Sequence, residues 1–188
     1  TFTQFSKLSG AVPMIGVNHG RCFAGNTALL ACCDVIIATK DSTIAMGGPA
    51  MIEGGGLGIY TPEEVGPMSF QVPNGVVDIL VDDEAEAVRV AKQYLSYFQG
   101  SVDTWEAPDQ RKLRHVVPEN RLRLYDMREI IATVADIDSV LEVRAGFGVG
   151  VITCFIRVEG RPMGVIANNP HHLAGAIDSD AADKGTRF

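Results

Sequence analysis

The chain has 188 residues, of which 46% are hydrophobic and 21% charged, and its formal net charge at pH 7 is −7. A chain of this length forms one large domain or two small ones, and the composition is typical of globular proteins. The acidic balance and the lack of a basic stripe argue against nucleic-acid binding, and no apolar run is long enough to predict a membrane span.

The first third of the chain predicts buried strands that alternate with helices. Val12–Val17 is apolar and β-branched and predicts a strand, Ala24–Cys33 predicts a short apolar helix, and Val35–Ala38 predicts a second buried strand. A turn that contains Gly20 and Gly25 lies between the first strand and the helix. This order of elements predicts an α/β fold.

Glycine and proline mark the segments that follow. Residues 47–60 contain six glycines and predict no regular structure. Thr61, directly before Pro62, predicts the N-cap of a brief helix. Residues 73–75 predict a turn. Asp83–Phe98 predicts the clearest helix of the chain, because its apolar residues recur every three or four positions.

The second half predicts a linker and then a mixed set of elements. Residues 99–118 lose apolar periodicity and contain Pro108 and Pro118, which indicates a linker. The other predicted elements are a strand before the linker (Val76–Val81) and, after it, a helix (Tyr125–Val134), three strands (Val140–Arg144, Gly150–Val158 and Met163–Ala167) and a terminal helix (Asp178–Phe188). Strand pairing is predicted to be mixed or parallel. Residues 1–10 resemble the end of a helix, and the terminal helix stops in mid-pattern, so we expect a fragment of a longer protein.

The turn around Gly25 is the strongest candidate for chemistry. The amides of Ala24 and Gly25 stand at a predicted helix start, where unpaired N–H groups stabilise negative charge. Such a turn can hold a developing oxyanion, for example that of a thioester enolate. The spacing alone leaves the alternative open that this is a tight strand-to-helix connection without a ligand.

Other classes of site find no support in the sequence. His171 and His172 are adjacent and point in different directions, so no metal site is predicted. The glycine run EGGGLG at 53–58 lacks the Gly-Lys-Ser/Thr ending of a phosphate loop, and no Gly-x-Ser-x-Gly elbow indicates a hydrolase. Four cysteines without metal or redox spacing predict reduced thiols and a cytoplasmic location: Cys22, Cys32, Cys33 and Cys154.

Three segments carry a resemblance to a known family. The central segment of the crotonase superfamily, whose folds hold acyl-CoA thioesters and stabilise their enolates, is similar to residues 13–49, PMIGVNHGRCFAGNTALLACCDVIIATKDSTIAMGGP. The carboxyltransferase component of biotin-dependent acyl-CoA carboxylases is similar to residues 125–136, YDMREIIATVAD, and to residues 159–188, EGRPMGVIANNPHHLAGAIDSDAADKGTRF. The chain therefore resembles the carboxylase branch of the superfamily.

The resemblance implies a crotonase-like α/β fold, a ββα-superhelix, with the end of one carboxyltransferase subdomain and the start of the second. The implied boundaries are residues 1–100 and 119–188 for the two subdomains and 101–118 for the linker. The implied activity is carboxyl transfer from carboxybiotin to the α-carbon of an acyl-CoA such as acetyl- or propionyl-CoA. Biotin and acyl-CoA are the implied cofactor and substrate, without a metal. The implied partners are a biotin carboxyl carrier, a biotin carboxylase and further copies of the chain in an oligomer of dimers.

The resemblance also assigns site residues. Ala24 and Gly25 fall on the glycine pair whose amides face the thioester. Ala50 stands where the family often has aspartate, and Gly185 and Thr186 stand where it has two alanines. The loop on the biotin side matches Asn168, Asn169 and Pro170, with Asn169 in place of the usual glutamine. Contacts to CoA or the acyl substrate are implied for Gly20, Cys22, Phe23, Gly47, Gly48 and Pro49.

Three alternatives to a carboxylase remain. Hydratases and isomerases of the superfamily have acid–base glutamates at the positions of Ala28 and Ala50, and alanine cannot transfer a proton, which disfavours water addition. The α subunit of a biotin-dependent acyl-CoA decarboxylase and a non-catalytic fragment that binds CoA or dimerises are the others. Two family segments, Ser-Gly-Gly-Ala-Arg and Gly-Gly-Ala-Tyr, are expected before Thr1 and after Phe188, so the chain alone is expected to be inactive.

Overall fold

The computed structural model describes residues 1–120 and 122–188 and divides the chain into two compact units, Thr1–Lys92 and Gln93–Phe188. The predicted subdomain and linker boundaries stay a prediction. Arg121, which the predicted second subdomain includes, lies outside the described residues. None of the described helices is long and apolar enough to cross a membrane.

The first unit alternates short strands with short helices, as predicted. Its strands are β1 (Ile15–Asn18), β2 (Arg21–Phe23), β3 (Val35–Thr39), β4 (Thr43–Ala45) and β5 (Ile79–Val81). Its helices are α1 (Phe2–Ser6), α2 (Gly25–Leu30), α3 (Pro49–Gly54), α4 (Met68–Gln71) and α5 (Glu84–Ser96), which continues into the second unit, with a 3-10 helix at Pro62–Glu64. A parallel sheet has the order β1-β3-β5, and β2 and β4 form a separate parallel pair.

The core of the first unit lies around β3. All five residues of β3 are buried, as expected for the central strand of a parallel sheet. The predicted strands around β1 and β3 are confirmed, although β1 begins only at Ile15, after a proline that cannot donate a ladder hydrogen bond. The buried cluster of this unit consists of Cys22, Leu30, Ile36, Ala38, Ile44, Met68 and Val77.

Two predictions in the first unit are wrong. Residues 47–60 are not irregular throughout, because α3 occupies Pro49–Gly54 with proline at its first turn, and glycines stand on both sides of it rather than within its first five residues. The segment around Cys22 is not simply a turn, since β2 pairs with β4 in the register Cys22 to Ile44. β2 (Arg-Cys-Phe) and β4 (Thr-Ile-Ala) lie outside any longer apolar run such as those that predict strands over Val76–Val81 and Val140–Arg144.

The brief helix predicted after Thr61 is confirmed as the 3-10 helix Pro62–Glu64. The Glu64 carboxylate accepts a hydrogen bond from the Thr61 backbone N–H at 2.7 Å, which forms half of a capping box. The helix predicted over Asp83–Phe98 is confirmed as α5, one to two residues shorter at its ends.

The second unit is built on an antiparallel sheet with the order β6-β7-β8. Its strands are β6 (Leu141–Val143), β7 (Val151–Val158) and β8 (Arg161–Asn168). Its helices are α6 (Leu113–Val116), α7 (Met127–Val134) and α8 (Ser179–Arg187), with 3-10 turns at Gln110–Lys112 and Leu173–Gly175. The last part of the predicted linker is therefore helical, and Asp109 caps that segment by accepting from the Arg111 N–H at 3.1 Å.

The tight turn between β7 and β8 is held by two buried charged side chains. Glu159 and Gly160 have φ angles of 51° and 75°, the left-handed pair that closes a two-residue hairpin. The Asp136 carboxylate accepts from both of their N–H groups, at 3.0 and 2.7 Å. The Arg157 guanidinium donates to the carbonyl oxygens of Gly160 and Ser96 at 2.7 and 2.6 Å. The hairpin is thus fixed by charge-assisted hydrogen bonds.

Candidate functional site

The predicted oxyanion turn lies where β2 ends and α2 begins. Ala24 caps α2 with φ 54° and ψ −122°, a conformation that glycine adopts more readily than alanine. Its N–H lies 3.1 Å from the Met46 carbonyl oxygen and 3.3 Å from that of Ala45. The Ala24 amide is therefore engaged inside the chain, and its assignment to a substrate oxyanion stays a prediction.

The Gly25 amide is the available donor of this turn. Gly25 is the exposed first residue of α2, and within the described chain no acceptor is bonded to its N–H. A Cβ atom at this position would lie 3.3 Å from the Phe2 ring. An exposed first-turn N–H without a side chain beside it can approach a ligand oxygen closely.

The buried Thr27 hydroxyl fixes the orientation of this turn. Its Oγ1 lies 2.9 Å from the Cys22 carbonyl oxygen and 2.9 Å from the Ala45 carbonyl oxygen. One side chain in the first turn of α2 thus contacts both β2 and β4. This role of Thr27 was not predicted; its signal in the sequence is a threonine in the first helical turn, where the hydroxyl can bond to nearby backbone.

Gly20 starts the segment that leads into this turn. Its φ of 77° is left-handed, which glycine adopts without strain. The Gly20 N–H donates to Ser42 Oγ at 3.2 Å, and its carbonyl accepts from the Thr43 N–H at 2.9 Å. The structure gives Gly20 a structural reason for being glycine; a contact with CoA stays a prediction.

The other predicted CoA and acyl contacts fall into two groups. Cys22 is 7% exposed and its side chain belongs to the core cluster, so a substrate contact there would have to use its backbone. The Phe23 ring lies 3.5 Å from the place of a Cβ at Gly48, at the N-terminus of α3. Gly47 has open space around it, and Pro49 is the first residue of α3. Phe23, Gly48 and Pro49 are therefore close together.

The predicted biotin-side loop follows β8 in the second unit. Asn169 is buried, its Nδ2 donates to the Val149 carbonyl at 2.9 Å, and its Oδ1 accepts from the His171 N–H at 3.1 Å. Pro170 is also buried, whereas Asn168 is exposed. Of these three residues, Asn168 is the one whose amide can reach a ligand, and Asn169 anchors the loop.

A hydrogen bond between two side chains that the sequence did not predict lies just beyond this loop. His172 Nε2 lies 2.8 Å from Asp178 Oδ2, and the other Asp178 oxygen accepts from the Ala181 N–H at 2.9 Å. The Ala181 N–H, and then the His172 ring, hold the pKa of the Asp178 carboxyl below its ordinary value. The sequence signal was an aspartate at a predicted helix N-cap.

Other charged groups of the second unit are half-buried or buried. The Arg128 guanidinium makes two hydrogen bonds to the Glu142 carboxylate, at 2.7 and 2.8 Å. Lys184 is 1% exposed, no described residue accepts a hydrogen bond from its Nζ, and burial lowers its pKa to about 8. Burial raises the pKa of the Cys154 thiol to about 11. A cavity of about 160 Å³ is lined by Arg128, Ile131, Ala132, Val140, Glu142, Ile152 and Cys154.

Comparison with known proteins identifies the family. The model of the carboxyl transferase domain matches residues 1–188. The chain belongs to this family. No group of three or more histidine, cysteine or acidic side chains that could hold a metal occurs in the described part of this carboxyl transferase domain.

Solved structures confirm the predicted fold. A single-chain, multi-domain long-chain acyl-CoA carboxylase is 60% identical, with a TM-score of 0.98 over 100% of this chain and 19% of its own. The transcarboxylase 12S subunit, solved as a hexamer with hydrolysed methylmalonyl-CoA bound, is 32% identical with a TM-score of 0.86 and is covered over 38% of its length. The chain thus has the predicted crotonase-like α/β fold of carboxyltransferases.

Curated relatives differ in the direction of their chemistry. The methylmalonyl-CoA carboxyltransferase 12S subunit of Propionibacterium freudenreichii subsp. shermanii is 33% identical over 97% of this chain. The methylmalonyl-CoA decarboxylase α subunit of Veillonella parvula is 30% identical over 100% of it. The chain spans 36% and 39% of the lengths of these two relatives. It therefore corresponds to less than half of either relative.

Proposed function

We propose that the protein carrying this chain transfers a carboxyl group between carboxybiotin and the α-carbon of an acyl-CoA. The observation that carries the proposal is the exposed Gly25 N–H at the start of α2, which no described residue engages. The match of the carboxyl transferase family over the whole chain supports it. The activity, substrates and partners of the whole protein are proposals, because the chain spans less than half of its relatives.

Gly25 has a defined part in this chemistry. Loss of the α-proton converts the thioester into an enolate, whose negative charge lies largely on the thioester oxygen. One well-placed N–H donor to such an oxyanion stabilises the transition state by about 3–4 kcal/mol. Biotin, when bound, supplies the carboxyl group, and the exposed amide of Asn168 is the group of the 168–170 loop that is free to contact it. The chain's contribution is to hold and orient the two partners.

The alternatives differ in how well they fit. Hydration is disfavoured, because Ala28 and Ala50 offer no acid or base where hydratases have glutamates. Decarboxylation of an acyl-CoA uses the same enolate, and the similarity to the Veillonella parvula subunit keeps that direction as a second candidate. The partners that we propose are a biotin carboxyl carrier, a biotin carboxylase and further copies of the chain in an oligomer of dimers. The absence of disulfides supports a cytoplasmic location for this complex.

The test is a pair of substitutions at Gly25 in the full-length protein. Gly25→Pro removes the N–H, and proline is well tolerated at the first position of a helix. We expect kcat for carboxyl transfer to fall about 100- to 1,000-fold. Gly25→Ala keeps the N–H and is the matched control, with kcat expected within about tenfold of wild type. Equal turnover of the proline variant and the wild type would sink the assignment of Gly25.

A further inference from the structure

The His172 ring is bonded to the carboxylate that starts α8. His172 Nε2 lies 2.8 Å from Asp178 Oδ2, and Asp178 Oδ1 accepts from the Ala181 N–H at 2.9 Å. An ionised carboxylate can only accept hydrogen bonds, so the proton of this pair lies on Nε2 of the imidazole. One aspartate therefore caps the helix and fixes the orientation of the ring. Charge-assisted hydrogen bonds of this kind are shorter and stronger than neutral ones.

The His172 ring also packs against the backbone of Gly150. A Cβ built on Gly150 would lie 3.0 Å from His172 Cδ2, 3.2 Å from the Ala176 carbonyl oxygen and 3.2 Å from the Ala181 Cβ. The ring, the segment before α8 and α8 itself thus converge on one glycine. Gly150 and Asp178 thus contact the half-buried His172 ring at two points.

A strained turn follows directly after His172. Leu173, Ala174 and Gly175 have φ angles of 46°, 55° and 89°, all left-handed. Such a conformation is unfavourable for the two residues that are not glycine, and it persists only where the surrounding structure enforces it. The Gly175 N–H donates to the His172 carbonyl oxygen at 2.8 Å and closes the turn. The turn is therefore joined directly to the backbone of His172, the residue whose ring contacts Asp178 and Gly150.

The turn supports the exposed amide of the predicted biotin-side loop. The Asn168 Nδ2 atom lies 2.7 Å from the place that a Cβ at Gly175 would take. The absence of a side chain at Gly175 lets the Asn168 amide lie directly on the turn. A displacement of the turn would move this amide, whereas Asn169 would stay anchored to the backbone around Gly150.

We propose that His172 is a positioning residue of the carboxybiotin-facing loop: through Asp178 and Gly150 it holds the left-handed turn on which the Asn168 amide lies. This inference rests on the proposed carboxyl transfer. His172 does not contact biotin in this proposal, because it acts through the turn and Asn168. Its loss is therefore expected to affect the biotin side of the reaction and leave the acyl-CoA side unchanged.

The experiment uses the full-length protein with free biotin as acceptor and malonyl-CoA or methylmalonyl-CoA as donor. In this direction the carboxyl group passes to the biotin nitrogen, and the proton of that nitrogen passes to the α-carbon of the acyl-CoA. His172→Phe keeps a ring on Gly150 and removes the donor to Asp178, and His172→Gln keeps a donor. We expect KM for biotin to rise about tenfold or more in the phenylalanine variant. We expect KM for the acyl-CoA to stay within about twofold and the glutamine variant to recover most of the loss.

His171→Phe is the control, because it makes the same substitution at the adjacent position, where the histidine side chain is exposed. Circular dichroism and the thermal midpoint report whether each variant is folded; if His172→Phe is not, Asp178→Asn keeps the helix cap and weakens the same bond. A wild type without carboxyl transfer would overturn the proposed function and this inference with it. The inference alone would be overturned if the wild type is active and the folded His172 or Asp178 variants have an unchanged KM for biotin. Equal rises in the KM values for biotin and for the acyl-CoA would overturn it as well.

Discussion

The Thr27 hydroxyl lies 2.9 Å from the carbonyl oxygens of Cys22 and Ala45, so one buried side chain ties the start of α2 to the adjacent strands β2 and β4. The hydroxyl proton can serve either acceptor, and both carbonyls would lose this partner if the hydroxyl were removed. Gly25 lies two residues earlier in the same helical turn. The predicted oxyanion turn is therefore connected to both strands through the buried Thr27 side chain.

Thr27→Val tests this connection with almost no change of volume. We expect the free energy of unfolding to fall by about 1–3 kcal/mol, because buried carbonyl groups lose a donor. Urea denaturation followed by circular dichroism measures the change. Thr186→Val is the control, since the Thr186 hydroxyl donates to the Ala182 carbonyl on an exposed helix surface and its loss should cost less than about 0.5 kcal/mol. Equal effects of the two substitutions would contradict a structural role for Thr27.

Ala24→Gly should stabilise the protein, contrary to the usual effect of glycine. Ala24 has φ 54° and ψ −122°, and a non-glycine residue in such a region costs about 1–3 kcal/mol. Part of this gain is offset by the greater freedom of glycine in the unfolded chain, so we expect a net gain of about 1 kcal/mol. Ala28→Gly, inside α2, should instead cost about 1 kcal/mol. A loss of stability in Ala24→Gly, measured by thermal unfolding, would argue against strain at this position.

Lys184→Met should raise stability at neutral pH. The buried ammonium has its pKa lowered from 10.5 to about 8, so the folded protein bears a cost that methionine of similar length would not. A shift of this size corresponds to about 3 kcal/mol as an upper bound. We expect a gain of about 1–3 kcal/mol in urea denaturation at pH 7. Lys112→Met, on an exposed lysine, serves as the control and should change stability by less than about 0.5 kcal/mol.

The same lysine gives a pH dependence of defined sign. Between the folded pKa of about 8 and the unfolded value of 10.5 the unfolded chain binds more protons, so the Lys184 contribution to stability rises with pH. Below pH 8 both states are protonated and the cost is complete. The stability advantage of Lys184→Met should thus be largest below pH 8 and shrink towards pH 10.5. An advantage that does not vary over this window would contradict the low pKa.

Arg157→Lys should destabilise the second unit although the charge is kept. Arg157 is 8% exposed and its two terminal nitrogens donate to three carbonyl groups, those of Ser96, Gly100 and Gly160. An ammonium group cannot reproduce this planar fork. We expect a loss of about 2 kcal/mol or more in urea denaturation. Arg89→Lys on the exposed face of α5 is the control and should leave the free energy of unfolding unchanged. An unchanged free energy of unfolding in Arg157→Lys would show that the hydrogen bonds of the guanidinium do not contribute to stability.

Much of the fold could be predicted from local patterns. The buried run of β3, the 3.6-residue period of α5 and the turn residues at Glu159 and Gly160 each specify their own structure. The strands β2 and β4 could not be predicted, because neither lies in a longer apolar run and their pairing is a contact between distant segments. The helix α3 was hidden by the glycines that flank it on both sides.

The candidate site likewise has features that the sequence predicts and features that it does not. The sequence predicted that Gly25 stands at a helix start, because a glycine after a strand and before an apolar run is a local signal, and its role towards an oxyanion stays a prediction. It could not show that the Ala24 amide is engaged by Met46, because that contact depends on how β4 lies beside β2. The buried Asn169 and the His172–Asp178 pair likewise depend on which side of the loop faces inward. Contacts between segments distant in sequence leave no periodic signal.

The strand β8 has a practical consequence for any preparation of this chain by itself. It forms an outer edge of its sheet among the described residues, and Met163 and Ile166 on it are 46% and 59% exposed. An exposed edge with apolar side chains is a template for pairing with another molecule. We therefore expect association through β8 to limit the concentration that the isolated chain tolerates in solution, and we expect Ile166→Lys to raise this limit.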